Sequence, residues 1–122
     1  MPWKFDDSSP IYMQLMSKIK VEILSGRYKA GDKLKSVREM AGEACVNPNT
    51  MQKALTELES TGLIYSRRTA GRFITEDTTM IKAMRNELAQ EEVKSFLNNM
   101  KTIGVTKEEI INMVENIEKG ME

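Results

Sequence analysis

The fold is decided by the stretch from Leu34 to Phe73, which reads LKSVREMAGEACVNPNTMQKALTELESTGLIYSRRTAGRF. Near its start, the Ser36 hydroxyl is placed to accept from the backbone N–H of Glu39, and the Glu39 carboxylate is placed to accept from the N–H of Ser36. This reciprocal arrangement is a capping box, so a helix is predicted to begin at Ser36. Its apolar positions are Met40, Ala41 and Ala44.

A second helix is predicted directly after a short turn. Pro48 cannot continue a helix but suits the first position of a new one, and Asn47 before it suits the N-cap. Gly62 fits the left-handed position at which helices commonly end. The i, i+3, i+4, i+7 spacing predicts a buried face made of Met51, Ala54, Leu55 and Leu58. The opposite, polar face carries Asn49, Gln52, Lys53 and Thr56.

Two short runs rich in aromatic and β-branched residues, Leu63–Arg67 and Arg72–Thr75, predict a β-hairpin. Gly71 can take the positive φ that a hairpin tip often needs. No acidic residue lies between Ser60 and Thr75, and three arginines crowd the predicted tip: Arg67, Arg68 and Arg72. Two helices joined by a tight turn and followed by a basic hairpin are typical of a winged helix-turn-helix, which binds DNA.

Helices are also predicted on both sides of this stretch. Ser9-Pro10 opens a first core helix that ends at Gly26, with Tyr12, Leu15, Met16, Ile19 and Ile23 on one face. A long helix is predicted from Thr79 to a break at Gly104, and a second capping box at Thr106 and Glu109 opens a last helix. The apolar residues of these two tail helices are Ile81, Met84, Leu88, Phe96, Leu97 and Met100, then Ile110, Ile111, Met113, Val114, Ile117 and Met121.

The predicted fold is mainly α with a small β-sheet: a winged helix-turn-helix over residues 1–76 and a two-helix tail over residues 77–122. The two tail helices alone offer too little partner surface for so many apolar side chains, and each large apolar side chain left exposed forfeits roughly 1.5–3 kcal/mol. We therefore predict homodimerisation through residues 80–119; the alternative is a tail that folds back on its own winged domain. The residues expected at the dimer interface are Ile81, Met84, Leu88, Phe96, Leu97, Met100, Ile110, Ile111, Val114 and Ile117.

The charge distribution agrees with this division. The 122 residues carry 18 Lys and Arg against 18 Asp and Glu, so the net charge is zero. Residues 1–76 hold 12 basic and 9 acidic side chains, a net of +3, whereas residues 77–122 hold 6 and 9, a net of −3. The positive part is the predicted helix-turn-helix, as expected for a DNA-binding domain, although solvated faces often vary by this much.

The composition disfavours other classes of function. The chain has no histidine, no Gly-x-Ser-x-Gly motif and no phosphate-binding loop, so we expect neither catalysis nor a cofactor nor a metal site. It lacks an apolar span of ~20 residues and a signal-peptide core, so we expect a cytoplasmic protein with no membrane partner. The one cysteine, Cys45, is expected to be a small buried side chain at the helix turn; redox sensing is the alternative.

Four motifs follow one another along the chain: Pro10-Ile11-Tyr12-x-Gln14, Leu34-x-Ser36-Val37-Arg38-Glu39, Val46-Asn47-Pro48-Asn49-Thr50 and Leu58-Glu59-x-x-Gly62-x-Ile64. In this order they resemble the N-terminal domain of GntR-type bacterial transcription regulators, over roughly Trp3 to Thr75. The short tail and the arm Trp3-x-Phe5-Asp6 resemble the YtrA subfamily. Two departures are Lys35, where the family usually has proline, and a tip, Arg68-Thr69-Ala70-Gly71-Arg72, with fewer glycines than usual.

The resemblance implies a dimeric repressor that places two recognition helices in successive major grooves of a palindromic double-stranded operator, near transporter genes. It also implies that Lys33-Leu34 adds a third strand to the hairpin. DNA contacts are expected from Lys35, Ser36, Arg38, Asn47, Asn49, Thr50, Gln52, Lys53, Arg67, Arg68, Thr69, Gly71 and Arg72. Gln, Asn and Lys suit base edges, whereas Thr50 and the wing arginines suit phosphates or the minor groove.

Alternatives remain for most of these residues. Arg38 could instead pair with Glu39 or Glu43, Asn47 could serve only as a cap, and the polar helix face and the hairpin could be ordinary solvated surfaces. The alternative function is a winged-helix module that docks a partner protein without sequence-specific DNA binding. The methionines of the tail are expected to fill a core, and the alternative is a small-molecule effector site between the tail helices.

Overall fold

The computed structural model describes residues 3–121, which form five α-helices and one antiparallel hairpin. The predicted fold class, mainly α with a small β-sheet, is confirmed. The chain divides into two compact units, one ending at Arg85 and the other beginning at Asn86. The elements are α1 (Ile11–Leu24), α2 (Val37–Ala44), α3 (Pro48–Ser60), β1 (Ile64–Arg67), β2 (Gly71–Ile74), α4 (Thr78–Thr102) and α5 (Lys107–Met121).

The core of the first unit lies where α1 and α2 pack on α3 and where α3 meets the hairpin base. The apolar stripes predicted from helical spacing supply it, because each presents one row of side chains to its neighbours. Tyr12 and Met16, predicted on the buried face of α1, are only half-buried. The largest fully buried side chains are Leu15, Ile19, Ile23, Met51, Leu55, Leu58, Leu63, Ile64 and Ile74.

The two predicted caps of the helix-turn-helix are present. The Glu39 N–H donates to the Ser36 hydroxyl at 3.1 Å, and the Ser36 N–H donates to the Glu39 carboxylate at 3.3 Å. The Asn49 N–H donates to the side-chain oxygen of Asn47 at 2.7 Å. Between these helices Cys45 has a left-handed backbone, with φ of 57°, and is exposed. The expectation that Cys45 is buried is therefore wrong, because the chain reverses there and its side chain leaves the apolar face of α2.

The hairpin, called the wing below, pairs β1 with β2 from Ile64↔Ile74 to Arg67↔Gly71. The third strand implied by the family resemblance is reduced to one bridge, Lys33↔Phe73, because the turn before it and the capping box after it leave little extended chain. At the tip, the Ala70 N–H donates to the Arg67 carbonyl at 3.1 Å. Gly71 has the expected positive φ, 107°, and Thr69 also adopts one, 64°.

Gly62 ends α3 in a conformation and a space that favour glycine. Its φ is 88°, and a Cβ at this position would lie 3.1 Å from the Cε of Met80 near the start of α4. Left-handed backbone at the end of a helix is characteristic of glycine because other residues have a Cβ that crowds it. Gly62 therefore permits both the turn into the wing and the close approach of Met80.

The tail helices follow the predicted pattern, with the second capping box closed by the Glu109 N–H, which donates to the Thr106 hydroxyl at 3.2 Å. Neither α4 nor α5 contains a buried residue within the described part of the chain. No helix between residues 3 and 121 is both long enough and apolar enough to cross a membrane. Five of the residues predicted at a dimer interface are exposed: Phe96, Leu97, Ile111, Val114 and Ile117. The other five are half-buried: Ile81, Met84, Leu88, Met100 and Ile110.

Candidate nucleic-acid interface

The apolar stripe of α3 packs into the core, so the polar face on the other side of the helix is turned to solvent. Asn49, Gln52 and Lys53 are exposed, whereas Thr50 is half-buried in the first turn. The Asn47 side-chain oxygen accepts the hydrogen bond of the helix cap, which fixes the side chain and leaves its amide NH₂ group to donate to another partner. This face offers amide donors and acceptors on a rigid helix, which is the arrangement that pairs with base edges in a major groove.

Lys53 has a partner that the sequence did not reveal. Its Nζ lies 4.0 Å from the centroid of the Tyr12 ring, which is at the start of α1. This distance is within the range of a cation–π interaction, so the ammonium group of Lys53 is held against α1. Helical spacing assigned Tyr12 to the core, and nothing in the local pattern indicated that its ring would lie beside the polar face of α3.

The start of α2 contributes one paired and one unpaired cation. The Nζ of Lys35 forms an ion pair with the carboxylate of Glu43, and this hydrogen bond raises the pKa of Lys35 above its ordinary value. Because Glu39 closes the capping box and Glu43 binds Lys35, Arg38 forms no ion pair among residues 3–121. The structure therefore does not contain the alternative ion pair between Arg38 and either glutamate.

The wing carries its three arginines in three different environments. The guanidinium of Arg67 lies 5.8 Å from the ring of Tyr65 and 5.3 Å from that of Phe73, and these rings stack on each other. Arg68 is exposed at the tip. The Nε of Arg72 donates to Glu59 at 3.0 Å, and both side chains are largely shielded.

Glu59 is the residue of this surface that the sequence analysis missed. The stretch without acidic residues begins at Ser60, directly after Glu59, which belongs to the motif Leu58-Glu59-x-x-Gly62. A carboxylate one helical turn before a basic hairpin was the available signal. Its effect is that the wing holds less free positive charge than the sequence suggested.

The start of α2 and the wing enclose a cleft of about 790 Å³. Backbone N–H groups at a helix N-terminus, together with nearby cations, favour a phosphate group in such a cleft. No cluster of Cys, Asp or Glu side chains suited to a metal ion occurs in the described residues. The predicted DNA-binding residues that line the cleft are Lys35, Ser36, Arg67, Thr69, Gly71 and Arg72. Asn49, Thr50, Gln52 and Lys53 lie instead on α3, with Asn47 at its N-cap, and neither Arg38 nor Arg68 lines the cleft.

Comparison with known proteins is consistent with this geometry. Residues 11–74 match the family described as "Bacterial regulatory proteins, gntR family". The chain is 37% identical to the uncharacterized HTH-type transcriptional regulator YhcF of Bacillus subtilis, over 96% of this chain and 97% of YhcF. It is also 37% identical to the HTH-type transcriptional repressor YtrA of Bacillus subtilis, over 90% of this chain and 85% of YtrA.

Solved structures show the same fold. A GntR family transcriptional regulator from Listeria monocytogenes superposes with a TM-score of 0.85 at 46% identity, covering 92% of this chain and 98% of that one. The DNA-binding domain of AraR, solved in complex with operator ORE1, superposes with a TM-score of 0.54 at 28% identity. That match covers 61% of this chain and 90% of the AraR domain.

Proposed function

We propose that this chain, which belongs to the GntR family and is a DNA-binding transcription regulator, acts as a homodimeric repressor at a palindromic operator. The repressor role is supported by the similarity to YtrA along most of both chains. The DNA partner is supported by the similarity to the operator-bound AraR domain. The cytoplasm is the proposed location.

The dimer is supported chiefly by the apolar surface of the second unit. Five of the predicted interface side chains are between 41% and 60% exposed: Phe96, Leu97, Ile111, Val114 and Ile117. An apolar groove of about 640 Å³ lies between α4 and α5, and Met100 and Met113 line it together with Phe96. Three of these exposed side chains, Phe96, Val114 and Ile117, line this one groove. Large exposed apolar patches commonly mark interaction sites, so we assign a second copy of this chain to the groove.

A two-fold axis makes such a pairing economical. In an isologous interface the same surface is used by both chains, so one apolar face covers the other. At roughly 1.5–3 kcal/mol per large side chain fully buried, even partial cover of five residues on each protomer yields a substantial stabilisation. The methionines adapt their shape to the facing surface, which accounts for their place along the groove.

In the proposed complex α3 is the recognition helix. Asn49 and Gln52 contact base edges in the major groove, and Arg38 and Arg68 contact phosphates on either side. The wing tip lies against the backbone or the minor groove. Two such units linked by the tail cover two half-sites about one helical turn apart, and this cover excludes other proteins from the promoter.

The dimer is tested with full-length variants that place a charge on the apolar face. Leu97→Glu and Ile111→Glu are compared with Asn112→Glu, which adds the same charge to an already polar, exposed position of α5. Light scattering should give the mass of two chains for the parent and for Asn112→Glu, and the mass of one chain for the other two. A parent chain that is monomeric at micromolar concentration would leave the groove to the alternative occupant, a small-molecule effector.

The operator is tested by selecting genomic fragments with the purified protein and then footprinting the selected sites. The expected footprint has two protected half-sites, related by two-fold symmetry and separated by about 10 base pairs. A control duplex with five additional base pairs between the half-sites turns one of them to the opposite side of the helix. Equal affinity for both duplexes, or protection of a single asymmetric site, would contradict the palindromic operator.

A further inference from the structure

The side chain of Glu59 joins the recognition helix to both strands of the wing. Glu59 lies in the last turn of α3, and its Oε1 accepts a hydrogen bond from the Nε of Arg72 at 3.0 Å and another from the hydroxyl of Ser66. Ser66 and Arg72 are directly opposite each other in the register of β1 and β2. One carboxylate oxygen therefore binds the two strands at the same position along the hairpin.

The outer half of the wing, residues 66–72, depends on polar contacts of this kind. The base is anchored by Leu63, Ile64 and Ile74, which are fully buried, whereas no residue from 66 to 72 is buried. A two-stranded hairpin is only marginally stable by itself. The contacts that position the outer half therefore include the Glu59 hydrogen bonds and a backbone bond from the Leu34 N–H to the Arg72 carbonyl at 2.9 Å.

The Glu59–Arg72 ion pair is better protected from water than the other ion pair of this surface. The side chains of Arg72 and Glu59 are 17% and 27% exposed, compared with 55% and 46% for Lys35 and Glu43. Shielding from solvent strengthens a charge-assisted hydrogen bond because the local dielectric is lower. The Glu59 contact is therefore the one expected to persist when DNA approaches.

A carboxylate at this place has a cost for DNA binding. It repels phosphates and offsets the charge of Arg72, and cation–phosphate contacts supply most of the affinity for random DNA. We propose that Glu59 is a positioning residue that increases discrimination in favour of the operator. It fixes the position of the wing relative to α3. It also holds Arg72 in an ion pair, so that Arg72 does not add affinity for phosphates irrespective of the DNA sequence. The inference rests on the proposed binding mode, in which α3 and the wing contact one duplex.

The test compares Glu59→Gln with Glu57→Gln in the full-length chain. Both remove one negative charge from α3, but Glu57 is exposed and forms no ion pair among residues 3–121. Affinities for an operator duplex and a random duplex are measured by fluorescence anisotropy over a range of salt concentrations. The random duplex reports electrostatic attraction, and the ratio of the two affinities reports specificity.

We expect Glu59→Gln to bind random DNA more tightly, with a log–log salt slope steeper by about 0.9 per subunit as Arg72 gains a phosphate. We expect its preference for the operator to fall by on the order of tenfold, about 1.4 kcal/mol. The double variant Glu59→Gln, Arg72→Gln should restore the parent slope without restoring the preference. Ser66→Ala should lower the preference with the slope unchanged, because the ion pair remains.

The proposal is overturned if Glu59→Gln and Glu57→Gln shift both affinities by the same factor. A second measurement needs no DNA: amide hydrogen exchange over residues 66–72 should be faster in Glu59→Gln than in Glu57→Gln, and equal rates would also overturn the proposal. If the parent chain prefers no duplex sequence, the proposed function fails instead. The exchange rates then decide separately whether Glu59 positions the wing.

Discussion

Removing the charge of Arg68 should flatten the salt dependence of DNA binding. The size of the effect follows from the number of basic side chains that the structure leaves available to phosphates. Of the six basic side chains expected to contact DNA, two form ion pairs within the chain: Lys35 with Glu43, and Arg72 with Glu59. A third, Lys53, lies 4.0 Å from the ring of Tyr12, which is closer than the guanidinium of Arg67 lies to either ring of the wing. The three cations that remain are Arg38, Arg67 and Arg68. The proposed homodimer should then neutralise about six phosphates, and at about 0.9 per contact we expect a log–log slope near −5.

In Arg68→Gln each subunit loses one of these contacts, so the slope of the dimer should become shallower by about 1.8. The assay is fluorescence anisotropy on a random duplex, from low to physiological salt. Arg27→Gln is the matched control, because Arg27 carries the same charge in the same unit but lies beyond the end of α1, beside Glu22. Its slope should stay close to that of the parent.

Two results would refute this reasoning. If Arg27→Gln flattened the slope as much as Arg68→Gln, the net charge of the unit, rather than particular contacts, would govern binding. If Lys35→Gln flattened it as much as Arg68→Gln, the ion pair with Glu43 would open on DNA and Lys35 would count as a phosphate contact. The second result is instructive because that pair is exposed, and exposed ion pairs are weak.

The remaining predictions concern specificity and stability. Gln52→Ala should lower the preference for the operator over random DNA by about 1–3 kcal/mol in competition anisotropy if Gln52 contacts a base. Thr56→Ala, on the same face of α3 one turn later, is its comparison, and equal losses in both would place the base contact elsewhere. Gly62→Ala should destabilise the fold by more than about 1 kcal/mol in urea unfolding, because an L-residue is strained at its φ and its Cβ would press on a neighbouring side chain. Gly42→Ala, in a helix with open space around it, should instead stabilise by about 0.5–1 kcal/mol, and the opposite order would refute the argument.

The sequence predicted those features whose causes are local. Ser36 and Glu39 are three residues apart, so a helix start brings them together whatever the rest of the chain does. The stripe of Met51, Leu55 and Leu58 follows from helix geometry alone. The hairpin was predictable because strand-forming runs flank a glycine that takes a positive φ.

The contacts that the sequence did not predict join elements distant along the chain. Glu59 and Arg72 are 13 positions apart and meet only because the wing folds back beside the end of α3. Lys53 meets Tyr12 through the packing of α3 against α1. Periodicity assigns a side chain to a face of its own helix, but it does not specify which neighbouring element supplies the partner.

These long-range pairs also bear on the dimerisation role that we propose for the tail. With about three free arginines per subunit, one winged unit makes few phosphate contacts, and a single recognition helix contacts only a few bases. Linking two such units raises the overall affinity by roughly 10²–10⁴ through effective concentration, without any new contact. In the proposed dimer, the apolar face of α4 and α5 therefore compensates for the modest charge of the wing, because it links two weakly binding units. A dimer-dependent protein gains specificity when each half binds weakly alone, because only a site with both half-sites in the correct spacing is then occupied.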